Sequence, residues 1–529
     1  MWCTTPEISW HNRDPVLSVD IQAGVNETSK GEIFWRLATG GADSHVLIWH
    51  LMTNESGGAT VKCVADLERH QRAVNVVRFA PSKDILASGD DESTIILWKQ
   101  KDDCEFFIGF DETKDKEQWI SWKVLRGHLE DVYDISWSPN SNMLVSGSVD
   151  NTAILWDIHK GRSAAILSDH KGFVQGVSWD PCDQYICTIS TDRICRLIDL
   201  NTKKTVQRVY KAKIPTPLEH SIKDKTVRLF YDDTFKSFFR RLTFSIDGLL
   251  LIVPSGIIEP LETTERISNA TIIFSRHNLK EPLMILPSLD ECTIAVRCCP
   301  IYFELQKDGP TPIVTLPYRM VFAVATQHSV IIYDTQQISP IAVISNIHYT
   351  RLTDITWSSD GRILIASSTD GYCSIISFQN GELGEEYKRQ SSTPVKSATI
   401  NNDCKQSPTK DTTKKLLPTT DIDNSAMDID MVKYEKKDLL DKNSVNLLDQ
   451  TNKLSDHINN QEKELNNEMQ IEETEDIKLI YNEESTTGCA KTNVKDSSPK
   501  SAIPSVIACK MPRRVQLITL SSPKGLKKE

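Results

Sequence analysis

Sets of histidine, hydroxyl and carboxylate recur at similar spacing in the first 200 residues of this 529-residue chain. His11, Thr39 and Asp43 are followed by Trp49, and His128, Ser146 and Asp150 by Trp156. His70, Ser88 and Trp98 form a third set, in which Glu92 holds the carboxylate position with Asp91 beside it. A fourth keeps His170, Thr188 and Asp192 but has Ile198 in place of the indole. An imidazole between a hydroxyl and a carboxylate is the wiring of a general base. Repetition argues for the other use of the same groups, a hydrogen-bonded series that ties neighbouring strands together with its buried polar atoms satisfied. The repeat accounts for each of these histidines, so none is a candidate base.

Other chemistry finds no support. The chain has no GxxxxGK[ST] loop, no HExxH and no GxSxG. Cys182, Cys187 and Cys195 have a spacing that a metal could use, yet they fall in or beside expected buried strands and read as small core thiols. Cys298 and Cys299 are adjacent, so they point to opposite faces of a strand and cannot share a metal. The sequence therefore reads as a binding scaffold, with no catalytic set, cofactor or metal expected.

The elements that must position these sets are short strands. LATGGADSHVLIW (37–49), LASGDDESTIILW (86–98), LVSGSVDNTAILWD (144–157) and ICTISTDRICRLID (186–199) each run from an apolar strand through a polar turn into a second strand. Upstream lie RHQRAVNVVRFAP (69–81), GHLEDVYDISWSP (127–139) and DHKGFVQGVSWDP (169–181), and fainter copies occupy 240–254, 320–334 and 352–378. Their alternation of apolar and polar residues is that of strands with one buried face. This pattern resembles the WD-repeat β-propeller family, strongly over 1–200 and more weakly to 378. The expected fold is all-β, a seven-bladed WD-repeat propeller with a long disordered C-terminal tail; six or eight blades also fit the length. Seven blades over 1–380 gives about 54 residues each against the ~40–45 of a compact repeat. The excess is expected in insertions at 99–122, 201–236, 255–270 and 300–318. Later blades lose most of the polar network and are expected to hold by apolar packing.

Composition marks where folding ends. All eleven Trp and fifteen Phe lie at or before Phe378, so the remainder lacks core anchors and reads as disorder. The expected domains are the propeller (1–380), an acidic and polar linker (381–510), a short motif (511–522) and a basic end (523–529). The net charge of −11 is uneven: 421–476 holds sixteen acidic and six basic side chains. A nearly neutral folded part gives no support to direct, sequence-specific binding of nucleic acid. No stretch approaches the roughly 18 consecutive apolar residues of a membrane span, and neither membrane association nor a secretory signal is expected. Thirteen Cys, an odd number, argue against a disulfide framework and for a reducing compartment.

Two propeller segments have the composition of partner surfaces. DDTFKSFFRRLTFS (232–245) offers Phe235, Lys236, Phe238, Phe239, Arg240 and Arg241, types that dominate interface hot spots. The competing reading puts its Phe residues under the fifth blade and leaves its charges solvated. The acidic and aromatic insertion at 102–122 suits a basic partner or is an ordinary blade insertion.

Beyond the repeat, RGHLEDVYDISW (126–137), SVDNTAILWD (148–157), DDTFKSFFRRLTF (232–244), IAVRCCPIYFEL (294–305), LPYRMVFAVAT (316–326), YDTQQISP (333–340), VISNIHY (343–349) and LTDITWSSDG (352–361) resemble the family of middle, WD-repeat subunits of chromatin assembly factor 1. The resemblance implies a non-enzymatic nuclear scaffold of a histone chaperone complex, placing histones three and four on replicating or repaired DNA. Implied partners are the large and small subunits, the anti-silencing function 1 chaperone, and the histones, directly or through those partners. PRRVQLITL (512–520) resembles the B-domain-like motif by which such proteins bind that chaperone. By that pattern Arg513 and Arg514 meet acidic side chains, where guanidinium bonds bidentately. Val515 and Leu517 share one face of a strand while Ile518 and Leu520 take the other, as for a strand added to a sheet edge. The Ile518-Thr519 pair departs from the family, which often has Pro near 519. Pairing of this strand with the propeller itself is not expected across some 130 intervening residues. The rival readings are a histone regulator A-type chaperone subunit and a substrate-recruiting propeller of a ubiquitin ligase. Thr393-Pro394, Ser407-Pro408, Ser498-Pro499 and Ser522-Pro523 are candidate proline-directed phosphorylation sites.

Overall fold

The computed structural model describes residues 1–388, except 28–30, 54–57, 83, 102–116, 215–224, 261–267, 289–290, 308 and 311, together with the strand Gln516–Thr519. The described elements are strands, paired antiparallel in seven sheets. Blade one takes Val16–Ile21, Ile33–Gly41, His45–Thr53 and Ala59–Glu68 from the inside outwards. Blades two, three and four repeat the plan, their inner strands being Val74–Phe79, Val132–Trp137 and Val174–Trp179. Blades five and six are built on Leu250–Pro260 and Thr293–Phe303, and blade seven starts at Leu352–Trp357. Seven was the expected number.

Closure is supplied by the other end of the chain. Trp2–Thr4 pairs with Cys373–Ser377 as the outermost strand of blade seven, with Cys3 opposite Ile376. A closed ring leaves only the short strand edges of each blade open, the inner ones sheltered around the hub. Between successive sheets lie seven apolar clusters among the described residues, one for each junction. At the junction of blades two and three, for example, Val76, Leu97 and Ile95 meet Ile135, Leu144 and Trp156. This explains why strands of alternating pattern are buried on both faces near the hub: each face belongs to a different junction.

Cys187 and Cys195 lie in the junction of blades four and five, as expected of core thiols, whereas Cys182 is exposed. Cys298 packs towards blade five and Cys299 towards blade seven, on opposite faces as strand geometry requires. The turns are uniform too. The residue after each carboxylate position takes a positive φ, at Ser44, Ser93, Asn151, Arg193 and Gly371, which tightens the hairpin between the second and third strands.

Three expectations about boundaries need correction. Part of the extra length is strand, because Lys211–Lys213 and Thr226–Phe230 extend the sheet of blade five alongside Leu250–Pro260. The folded part continues past 380, where Leu383 is buried and Phe303 bridges to Glu386. Gln516–Thr519 does pair with the propeller, running antiparallel to Ala342–Ser345 with Leu517 opposite Ile344. The outer strand of blade six otherwise presents open backbone donors and acceptors, which a strand of any origin satisfies.

Candidate functional site

The polar sets assemble as hydrogen-bonded series in blades one to three. His11 places Nδ1 2.8 Å from Asp43 and Nε2 2.8 Å from Thr39, and the Trp49 indole donates to Thr39 at 2.9 Å. His128, Asp150, Ser146 and Trp156 repeat this with distances of 2.6 to 2.9 Å. Burial alone would raise the carboxyl of Asp150, but the His128 ring, Thr152 and the Leu129 amide hold it well below the usual range. Blade two uses neither Glu92 nor Asp91. His70 meets Asp90 at 2.6 Å, and Asp90 also accepts from the amides of Glu92 and Thr94. A carboxylate two residues after Ser88 reaches the ring from the strand, leaving Glu92 at the rim beside Arg72.

Blade four breaks the series. Asp192 pairs with Arg196 at 2.6 Å, and His170 keeps only Thr188, with its Nδ1 buried and unpartnered. Burial and then the Arg196 charge push His170 down to about 4. Blade seven, expected to hold by apolar packing alone, retains a set: His348 meets Asp370 at 3.1 Å and Ser374 at 3.0 Å. Its hydroxyl comes from the third strand, directly opposite Ala366, which occupies the usual hydroxyl position. The spacing of 22 residues from His348 to Asp370, the same as from His128 to Asp150, was the available signal. In all these sets the rings are buried and engaged, so they serve as cross-braces.

The segment at 232–245 lies differently from either reading of it. Phe235, Phe239, Arg240 and Arg241 are buried, and of the six partner-surface residues only Lys236 and Phe238 are exposed. Arg240 donates to the Gln175 side chain at 2.6 Å and to the carbonyl of Tyr231, and its amide bonds to the Gln175 carbonyl. Gly176 permits this approach, since a Cβ there would come within 1.9 Å of the Arg240 carbonyl oxygen. Arg241 enters the hub. Its guanidinium reaches Asp354 at 2.9 Å, Ser18 at 3.2 Å and the carbonyls of Leu17 and Asn75. Arg78 joins the same carboxylate at 2.7 Å. Burial would raise Asp354, yet the guanidiniums of Arg241, Arg78 and Arg297 hold it far below the usual range. Burial in turn lowers Arg241 to about 10.

No exposed nucleophile with an adjacent base emerges among the described residues. His45, Asp66 and Glu68 place ligand atoms within 4.8 Å of one another, but His45 is already committed to Asp66 at 2.7 Å. What the propeller offers is surface around a rigid hub. Of the tail motif, Arg513, Arg514, Val515 and Leu520 lie outside the described residues; Leu517 and Ile518 sit within the added strand. Most of the 102–122 insertion also lies outside them. Its end is described, and there Glu117 is buried against Arg36 and His50 of blade one.

A family model described as the CAF1B/HIR1 beta-propeller domain matches residues 1–383. The chain belongs to the CAF1B/HIR1 family. Its match to the B subunit of chromatin assembly factor 1 from Gallus gallus is 46% identical over 411 residues, covering 75% of this chain and 71% of that protein. The Mus musculus protein of that name is 47% identical over 403 residues, covering 73% and 68%. Within the same family, protein HIR1 of Kluyveromyces lactis is 26% identical over 369 residues, covering 66% of this chain and 40% of that protein. The CAF1B/HIR1 propeller thus accounts for the described architecture up to Leu383, the last buried position between 1 and 388.

Proposed function

We propose that this chain is the non-enzymatic scaffold component of a nuclear chromatin assembly complex that places histones three and four during nucleosome assembly coupled to replication and repair. The observation that carries this reading is the 46–47% identity, across the whole propeller, to proteins named as the B subunit of chromatin assembly factor 1. The much lower identity to HIR1 proteins, which this chain covers only in part, disfavours the histone regulator A-type alternative. Nothing in the structure favours a ubiquitin-ligase propeller. In this reading the propeller holds the large subunit, and residues 512–520 capture the anti-silencing function 1 chaperone. The extended backbone of Gln516–Thr519 and its readiness to pair with an edge strand support that second role.

Two measurements test it. Purification of the tagged full chain from nuclear extract, followed by mass spectrometry, should recover histones three and four with a large charged subunit; recovery of ligase subunits instead would overturn the reading. Titration calorimetry of the purified chaperone into the full chain tests the tail. Changing Arg513 and Arg514 to Ala should weaken binding at least 10-fold, since charge-assisted hydrogen bonds contribute about 1.5–3 kcal/mol each. Unchanged affinity would remove the motif from the account.

A further inference from the structure

The buried arginines of the 232–241 segment have an outward counterpart. With Arg240 and Arg241 anchored, Phe238 is turned into solvent and is 65% exposed. It is not isolated. Its ring centroid lies 6.0 Å from that of Tyr133 and 6.4 Å from that of Phe239, which is buried beneath them. Leu129, 84% exposed, stands in the loop that leads into the strand bearing Tyr133. An exposed aromatic cluster on a rigid support, with an exposed aliphatic side chain in the adjoining loop, is the usual mark of an interaction site.

Carboxylates flank this surface on the side of blades two and three. The Asn75 amide bonds to both the Asp91 side chain and the Val132 carbonyl, setting the blade-two turn beside Asp131 and Tyr133. Burial and then the facing charges of Asp91 and Glu130 push Asp131 above its ordinary value, and burial does the same to Asp91. Arg72, the nearby cation, pairs with Glu92, and no ion pair engages Glu130 or Asp131 among the described residues. The cations Lys236 and Arg351 lie on the blade-seven side of Phe238, where Arg351 donates to the Lys236 carbonyl. The face is therefore polarised, with Glu130 and Asp131 outside any ion pair among the described residues next to its apolar centre.

We propose that this face docks a basic peptide segment of a partner protein, with Lys or Arg side chains on Asp91, Glu130 and Asp131 and one large apolar side chain against Phe238, Tyr133 and Leu129. The inference stands on the propeller alone and is independent of the tail motif. Charge complementarity selects the occupant: an acidic segment or a phosphate backbone would meet the same carboxylates repulsively.

Fluorescence anisotropy with the full chain tests the proposal. The probes are labelled peptides of about twelve residues, rich in Lys and Arg and carrying one Leu, Ile, Met or Phe. Controls have Ala at that position or Glu in place of the basic residues. Expected are saturable, salt-sensitive binding of the basic apolar probes, about 10-fold weaker binding of the Ala control, and none of the Glu control. Phe238→Ala and the pair Glu130→Gln, Asp131→Asn should each weaken binding about 10-fold at unchanged melting temperature. The proposal is overturned if no basic probe binds, if acidic probes bind equally, or if both variants bind as the parent does. The chaperone titration with Arg513 and Arg514 changed reads out separately, so either result can fail without the other.

Discussion

The guanidinium of Arg241 meets the carboxylate of Asp354 at 2.9 Å in the hub of the ring, with both side chains fully buried. The two come from the approach to blade five and the inner strand of blade seven, and through Arg241 they also reach backbone carbonyls of blades one and two. Replacing Asp354 by Asn would leave Arg241 and Arg78 charged, with only Asp134 at 3.8 Å as a shared counter-charge. Breaking a buried pair in this way costs about 3–5 kcal/mol. Urea unfolding followed by Trp fluorescence should show a corresponding drop in midpoint, and a change under about 1 kcal/mol would contradict the pairing.

Blade two supplies a matched contrast. Asp90→Ala removes the His70 contact and the acceptor for two amides, and should cost about 1–3 kcal/mol. Glu92→Ala touches a rim residue and should stay within about 0.5 kcal/mol. The reverse order in thermal melts would restore the carboxylate to the position that the repeat spacing indicates.

His170 makes the fold sensitive to mild acid. Its folded value of about 4 lies below the ~6.5 of an unfolded histidine, so in between the unfolded chain binds more protons. Its contribution is therefore intact above about pH 6.5 and is lost as pH falls towards 4. From pH 7 to 5 the loss is on the order of 2 kcal/mol. His170→Gln, which cannot gain the charge, should flatten the melting temperature against pH over that window. An unaltered slope would assign the sensitivity elsewhere.

Thiol reactivity should follow burial. Burial pushes Cys3 and Cys299 up to about 12 and raises Cys187 and Cys373 as well, whereas Cys63 and Cys182 are exposed. Brief alkylation of the native protein at pH 8 should label Cys63 and Cys182 and spare the other four. Rapid labelling of Cys3 would mean that the closing strand is loose, since Cys3 lies within it.

What was legible in the sequence is what repeats locally. The Gly/Ser/Asp turns, the alternating strands and the sets around His11 and His128 all sit within one blade, so spacing reveals them. Blade seven escaped because Ser374 supplies its hydroxyl from a different strand, which a fixed spacing cannot register. The burial of Arg240 and Arg241 was not legible for a deeper reason. An FxxFFRR run looks like a binding surface, and only the carbonyls of Leu17 and Asn75 and the carboxylate of Asp354, all far off in sequence, explain why Arg241 is taken inside. The charged residues on the inner strands, Arg78, Asp134 and Asp354, were the overlooked clue to that hub.

The strand Trp2–Thr4 has a consequence for biosynthesis. Its partner, Cys373–Ser377, lies some 370 positions downstream, so during synthesis this strand must wait until six blades and most of a seventh have left the ribosome. Until then the growing arc keeps two raw flanks and an unmatched triplet that a neighbouring polypeptide on the same polysome can capture. A chaperone shielding Trp2–Thr4 during translation would raise the yield of sealed rings more than one acting after release.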